Sequence, residues 1–178
     1  MNIVKKNKLK YSIMRKLFTL VALIGVLSLQ SCTITDDIYI DDTSVSEVFE
    51  VPTSFTASNN YSKQIIFDSK IYASDDVLVY RLTGNYQGKA VWALLPESHF
   101  YNDGTFDFGY EYDYSLRDVS VYLVGANLNT VPTSFRLNQV LRIVIVPGGY
   151  AKQINKKDYF DVVSKLSLKE SDIKTITL

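Results

Sequence analysis

Phe106-Asp107-Phe108-Gly109-Tyr110-Glu111-Tyr112-Asp113-Tyr114 sets an aromatic ring at every even position and an acid or glycine at every odd one. Successive side chains of a strand point to opposite faces, whereas a helix would scatter these rings around its axis. The stretch therefore predicts a strand with five rings on one face and Asp107, Glu111 and Asp113 on the other. Working outward, Val48–Thr56, Tyr61–Phe67, Val77–Leu82, Lys89–Leu95, Val119–Val124 and Val140–Val146 read as further strands, each bounded by Asn, Gly or Pro turns. Val140–Val146 is almost continuously apolar, which predicts a central strand covered on both faces. Many short strands with turns between them predict a mainly β chain, an antiparallel β-sandwich or open barrel.

One short C-terminal helix is expected. Tyr159, Val162, Val163 and Leu166 follow helical spacing, with Asn155 or Asp158 as its cap, Asp161 early and Lys165 late. It should cover an end or face of the sandwich. Asp172–Leu178 reads as a last short strand. The expected organisation is a signal over residues 1–31, an acidic tether over 32–46 and one β domain over 47–178.

The signal reading rests on six bases before the apolar run Leu17–Leu29 and on the absence of any acid before Asp36. Met14, directly before Arg15-Lys16, reads as the start in preference to Met1. The run is 13 residues long, whereas a bilayer core about 30 Å thick needs roughly 20 apolar helical residues. A secretory signal is therefore preferred to a permanent span. Leu29-Gln30-Ser31-Cys32 resembles a bacterial lipobox, in which the cysteine carries the lipid; Gln30 is bulkier than the usual small residue there. Cys32 is the only cysteine, so no disulfide within the chain is available. Two or more acyl chains would hold the protein to a membrane.

Removing residues 1–31 takes six of the 19 bases and no acid, leaving 13 bases against 19 acids and a formal charge of −6. That balance disfavours nucleic acid as a partner. Asp36, Asp37, Asp41 and Asp42 mark the tether as an extended spacer. Acids soon after a lipid cysteine also resemble the surface-export signals of Bacteroidota lipoproteins.

Asp76–Leu82, Val91–Pro96, Tyr101–Gly104 and Phe135–Pro147 together resemble a family of small Bacteroidota lipoproteins of uncharacterised activity, over roughly Val48–Leu178. Some relatives carry collagen-like repeats after the lipid cysteine, and this chain departs from them because residues 33–46 contain no glycine. The resemblance implies an envelope or surface module and brings no functional residues with it.

No residue pattern commits the chain to catalysis. His99 is the only histidine, and no Gly-x-Ser-x-Gly elbow accompanies it. Glu97, His99 and Asp103 are the residues a loop-centred hydrolase or zinc site would use, but zinc needs three or four placed ligands, and a loop histidine without a task is the simpler reading. Asn102-Asp103-Gly104 with Asp107 offers oxygen donors for calcium. It lacks EF-hand spacing and reads more simply as a hairpin turn. Asp75-Asp76 reads as a solvated turn. Asp107, Glu111 and Asp113 would serve a glycosidase only opposite a second carboxylate. Phe106, Phe108, Tyr110, Tyr112 and Tyr114 are candidate binding rings, though rings on one strand face more commonly form core.

The expectation is thus an outer-membrane lipoprotein on the cell surface, held through acyl chains on Cys32. It would act as a non-enzymatic binding or structural module for a protein or glycan, without metal or cofactor. The alternative is an envelope hydrolase using His99 or the strand carboxylates. Cys32→Ser should abolish fatty-acid labelling and release the protein into the soluble fraction. Unchanged labelling and membrane fractionation would contradict the anchor.

Overall fold

In the computed structural model, residues 46–176 are described and fall in one compact unit. The expected signal, Cys32 and the tether up to residue 45 lie outside the described residues, as do residues 177–178. The strands are β1 (Glu47–Thr53), β2 (Ser62–Ile66), β3 (Asp76–Tyr86), β4 (Lys89–Leu94), β5 (Glu97–Phe100), β6 (Phe106–Tyr114), β7 (Asp118–Gly125), β8 (Gln139–Val146) and β9 (Ile173–Thr175). Two short α-helices, α1 (Thr133–Arg136) and α2 (Tyr159–Lys165), and three single 3-10 turns accompany them. The strands form two sheets, A in the order β4-β3-β8-β1-β9 and B in the order β2-β7-β6-β5. The fold is a mainly β sandwich with one short C-terminal helix. Its pairings are antiparallel except β1 with β9, which run parallel.

β8 explains the layering. Leu141, Ile143 and Ile145 pack with Val51, Val79, Tyr110, Val119 and Val121 between the two sheets. Val144 and Val146 face the other way, with Leu78, Tyr80, Tyr159 and Val162. Sheet A therefore has apolar groups on both faces, and each needs cover. Sheet B covers one face. The segment carrying α2 covers the other, using the Tyr159/Val162 side that helical spacing had marked. Asp158 caps α2 by accepting from the Phe160 and Asp161 amides.

The aromatic strand β6 differs from strict alternation at one end. Phe100 pairs with Phe106 and His99 with Phe108, so Asp107 is an extra residue. Such a bulge flips the face presented beyond it. Phe106 accordingly lies edge-to-face with the exposed Phe100 at 6.0 Å, and its ring comes within 3.5 Å of where a Cβ on Gly109 would sit. The expected five-ring face is thus corrected to one without Phe106. Phe108 and Tyr110 are buried at 2% and 0% exposure, Tyr112 is half-buried, and Tyr114 is exposed at the strand end. The tyrosine hydroxyls remain satisfied inside, Tyr110 donating to the Phe135 carbonyl and Tyr112 to that of Val77 at 3.1 Å. Gly109 is required by close approach, because a Cβ there would meet the Glu97 carbonyl oxygen at 2.8 Å.

A buried guanidinium fastens the covering segment. Arg142, on the Tyr80 side of β8, donates to Glu50 at 3.0 Å and to both oxygens of Glu170 at 3.1 and 3.0 Å. It also donates to the Tyr159 hydroxyl. Its Cζ lies over the Trp92 ring, 4.4 Å from the ring centre, and 5.4 Å from the centre of the Tyr159 ring. One side chain thus ties β1, β4, α2 and the turn before β9 to the central strand. Arg142→Ala should lower stability by about 2–4 kcal/mol, from lost charged hydrogen bonds and a Glu50 left without its buried partner. Urea unfolding measures this. Arg142→Lys should fall between, because an ammonium lacks the planar fork.

Candidate functional site

The sequence singled out Glu97, His99 and Asp103, and the structure brings two of them together. Glu97 and His99 lie on β5 opposite Tyr110 and Phe108, facing into the sandwich. Arg81 of β3 grips the Glu97 carboxylate through Nε at 2.9 Å and Nη2 at 2.6 Å, and its Nη1 donates to Gln139 at 3.1 Å. The pair joins sheet A to sheet B. Arg81 also sits 4.8 Å over the Tyr110 ring. Burial pushes the Tyr110 hydroxyl up to about 12, with Arg81 opposing and Glu97 reinforcing the rise, so it stays neutral.

His99 is wedged among rings, parallel to Phe108 at 4.4 Å and edge-on to Phe135 at 4.7 Å. Its Nε2 lies 2.8 Å from Glu97 Oε1, yet makes no well-aligned hydrogen bond. Asp103 is elsewhere, accepting from the Thr105 amide and hydroxyl in the turn before β6. That turn runs from Tyr101 to Thr105 and needs a positive φ (+86°) at Gly104. Asp107, Glu111 and Asp113 lie along β6 outside the inter-sheet core, with Glu111 beside Tyr122 and Asp113 beside Ser120. Among the described residues no group of three or more His, Cys, Asp or Glu is placed to hold a metal ion. The Arg81–Glu97 pair clamps β3 of one sheet to β5 of the other.

Two depressions stand out on the surface of the described residues. The larger, about 710 Å³, is lined by residues 52–54, 59, 62–64 and 138–140. Several of its polar groups already serve the fold. Asn59 bonds the Thr56 amide and Ser54 carbonyl, Gln64 donates to Asp118, the Ser54 hydroxyl accepts from the Asn138 amide, and Gln139 donates to the Ser134 and Leu137 carbonyls.

The second, about 340 Å³, is built differently. β3 and β4 run past the body of sheet A as an arm: β8 pairs with β3 only as far as Arg81, while Leu82–Tyr86 pair with β4 alone. A bulge at Thr83 bends the arm, the Thr83 hydroxyl donating to the Val91 carbonyl at 3.1 Å. Gln87 and Gly88, at φ +50° and +78°, make its two-residue turn. Tyr86, Gln87 and Lys89–Trp92 form one wall of the groove, and Lys157–Phe160 form the other. Tyr86 is 68% and Phe160 56% exposed. Trp92 is held from below by Arg142 and by Tyr159, whose ring is 5.4 Å away. Lys89 and Lys157 side chains have no partner among the described residues. Sequence reasoning missed this site because its residues come from a hairpin and a helix start 65 or more positions apart. The exposed Tyr86-Gln87-Gly88-Lys89 turn was the one available signal.

No protein-family model, curated protein or solved structure matches the chain.

Burial pushes the Glu97 carboxyl up, but the hydrogen bonds and charge of Arg81, with His99, outweigh it and hold it below the ordinary 4.5. A depressed folded value stabilises above the unfolded value, and that contribution disappears as pH falls through the folded one. Wild type should therefore be more stable than Glu97→Gln at pH 7. The gap in urea midpoint should close as pH is lowered from 4.5, and a gap independent of pH would contradict the clamp.

Proposed function

We propose that this chain is a cell-envelope lipoprotein whose β-sandwich is a non-enzymatic binding module, with the groove between the arm and the start of α2 as its ligand seat. The observation that carries the reading is the contrast between the two polar sites. Glu97 and Arg81 are bound to each other inside the fold, whereas Lys89 and Lys157 stand free beside exposed rings. Preformed concave sites with aromatic walls and few polar groups favour ligand binding. The lipobox-like Leu29–Cys32, the acidic tether and the family resemblance support the placement in the outer membrane and on the cell surface.

The test uses the acylated full chain in detergent, with a panel of neutral glycans, acidic glycans and acidic peptides. A panel member should bind, and Tyr86→Ser/Phe160→Ser should lose that binding while keeping the melting temperature, since both rings are exposed. Mass spectrometry should recover the bound compound unchanged. Binding undiminished in the double variant would remove the groove from the reading. Hydrolysis products that vanish in His99→Ala would overturn the non-enzymatic assignment in favour of the hydrolase.

A further inference from the structure

Among the described residues the groove follows an unpaired edge of a sheet, which restricts what it takes. β4 is the edge strand of sheet A on this side, and four of its residues in sequence, Lys89 to Trp92, line the groove. Tyr86 and Lys89 are the closing pair of a two-residue hairpin. In that geometry the closing pair exchanges both ladder hydrogen bonds, and inward and outward backbone groups alternate from there. Lys89 and Val91 therefore turn their backbone toward β3, as the Thr83 bond to the Val91 carbonyl shows. Ala90 and Trp92 turn N–H and C=O outward. Open edge groups of this kind are a template for one more strand.

We propose, building on the binding-module reading, that the groove receives an extended acidic peptide segment of a partner protein, which adds to β4 as a further strand of sheet A. The backbone groups of Ala90 and Trp92 supply the register. The ammonium groups of Lys89 and Lys157 meet the acids, and Tyr86 and Phe160 flank the segment. The domain is otherwise acidic, with 19 acids against 13 bases after residue 31. In the groove Lys89 and Lys157 outnumber one carboxylate, Asp158, which is engaged by the Phe160 and Asp161 amides, so the local balance favours negative charge.

The probe is a short peptide of alternating aspartate and valine, added to the acylated full chain in detergent. Trp92 is the only tryptophan, so its emission reports occupancy, and slowed amide exchange at Ala90 and Trp92 reports strand addition. The acidic peptide should produce both signals. N-methylation at alternate peptide residues should weaken binding about tenfold or more by removing edge hydrogen bonds. Lys89→Gln/Lys157→Gln should weaken it about tenfold and flatten its salt dependence. Equal binding of the N-methylated peptide, or unchanged exchange at both amides, would overturn strand addition while leaving the binding module intact. Oligogalacturonate binding where the peptide does not would overturn the peptide in favour of an acidic glycan at the same seat. Failure of every probe in the earlier panel is the separate result that removes the module itself.

Discussion

The architecture depends on one constraint: β8 presents apolar groups to both sides. Leu141, Ile143 and Ile145 face sheet B, and Val144 and Val146 face the opposite way. Burying a side chain of this size is worth ~1.5–3 kcal/mol, so neither face can be left in water. A two-layer sandwich covers only one. The segment after β8 crosses the second face, carries α2 over it, and returns as β9 to pair with β1. The parallel pairing follows from that return path, because a segment that has crossed the sheet re-enters from the end where β1 begins.

The two layers each contain a charged fastening at nearly the same level of sheet A. Arg81 lies opposite Leu141, and its neighbour Tyr80 lies opposite Arg142. Adjacent strand positions face opposite sides, so one guanidinium enters the inter-sheet layer and the other the α2 layer. Each finds carboxylates and aromatic faces. Apolar packing alone tolerates sliding, whereas a forked hydrogen-bonding group has few acceptable positions. The pair thereby fixes how the covering layers sit on sheet A.

The sequence showed most of the sandwich because its burial follows the two-residue period. β6 through its middle, β7, β8 and the apolar side of α2 were legible on that signal. β5 was not. Its inward residues are Glu97 and His99, so a polar pair occupies positions where alternation expects hydrophobic ones. Only the partner Arg81, 16 residues earlier, makes that burial acceptable. The outer half of β3 was missed for the opposite reason, since Thr83–Tyr86 are exposed and bury nothing that would mark them. The bulges at Thr83 and Asp107 were equally silent, because an inserted residue appears only against its paired strand. The groove depends on the first bulge, and on contacts between Trp92 and Tyr159 that no local window contains.

The arm also gives the molecule a mechanical axis. β1 begins beside Ile145, β3 begins beside Val146, and the turn at Gln87-Gly88 is at the far end of β3. A pull between the chain entering at Glu47 and a load at that turn runs along the strands. Ladder hydrogen bonds lie across the strands, so those joining β1, β8 and β3 are sheared together and share the load, where a peeling geometry would break them singly. A sheet wired this way is suited to holding against tension.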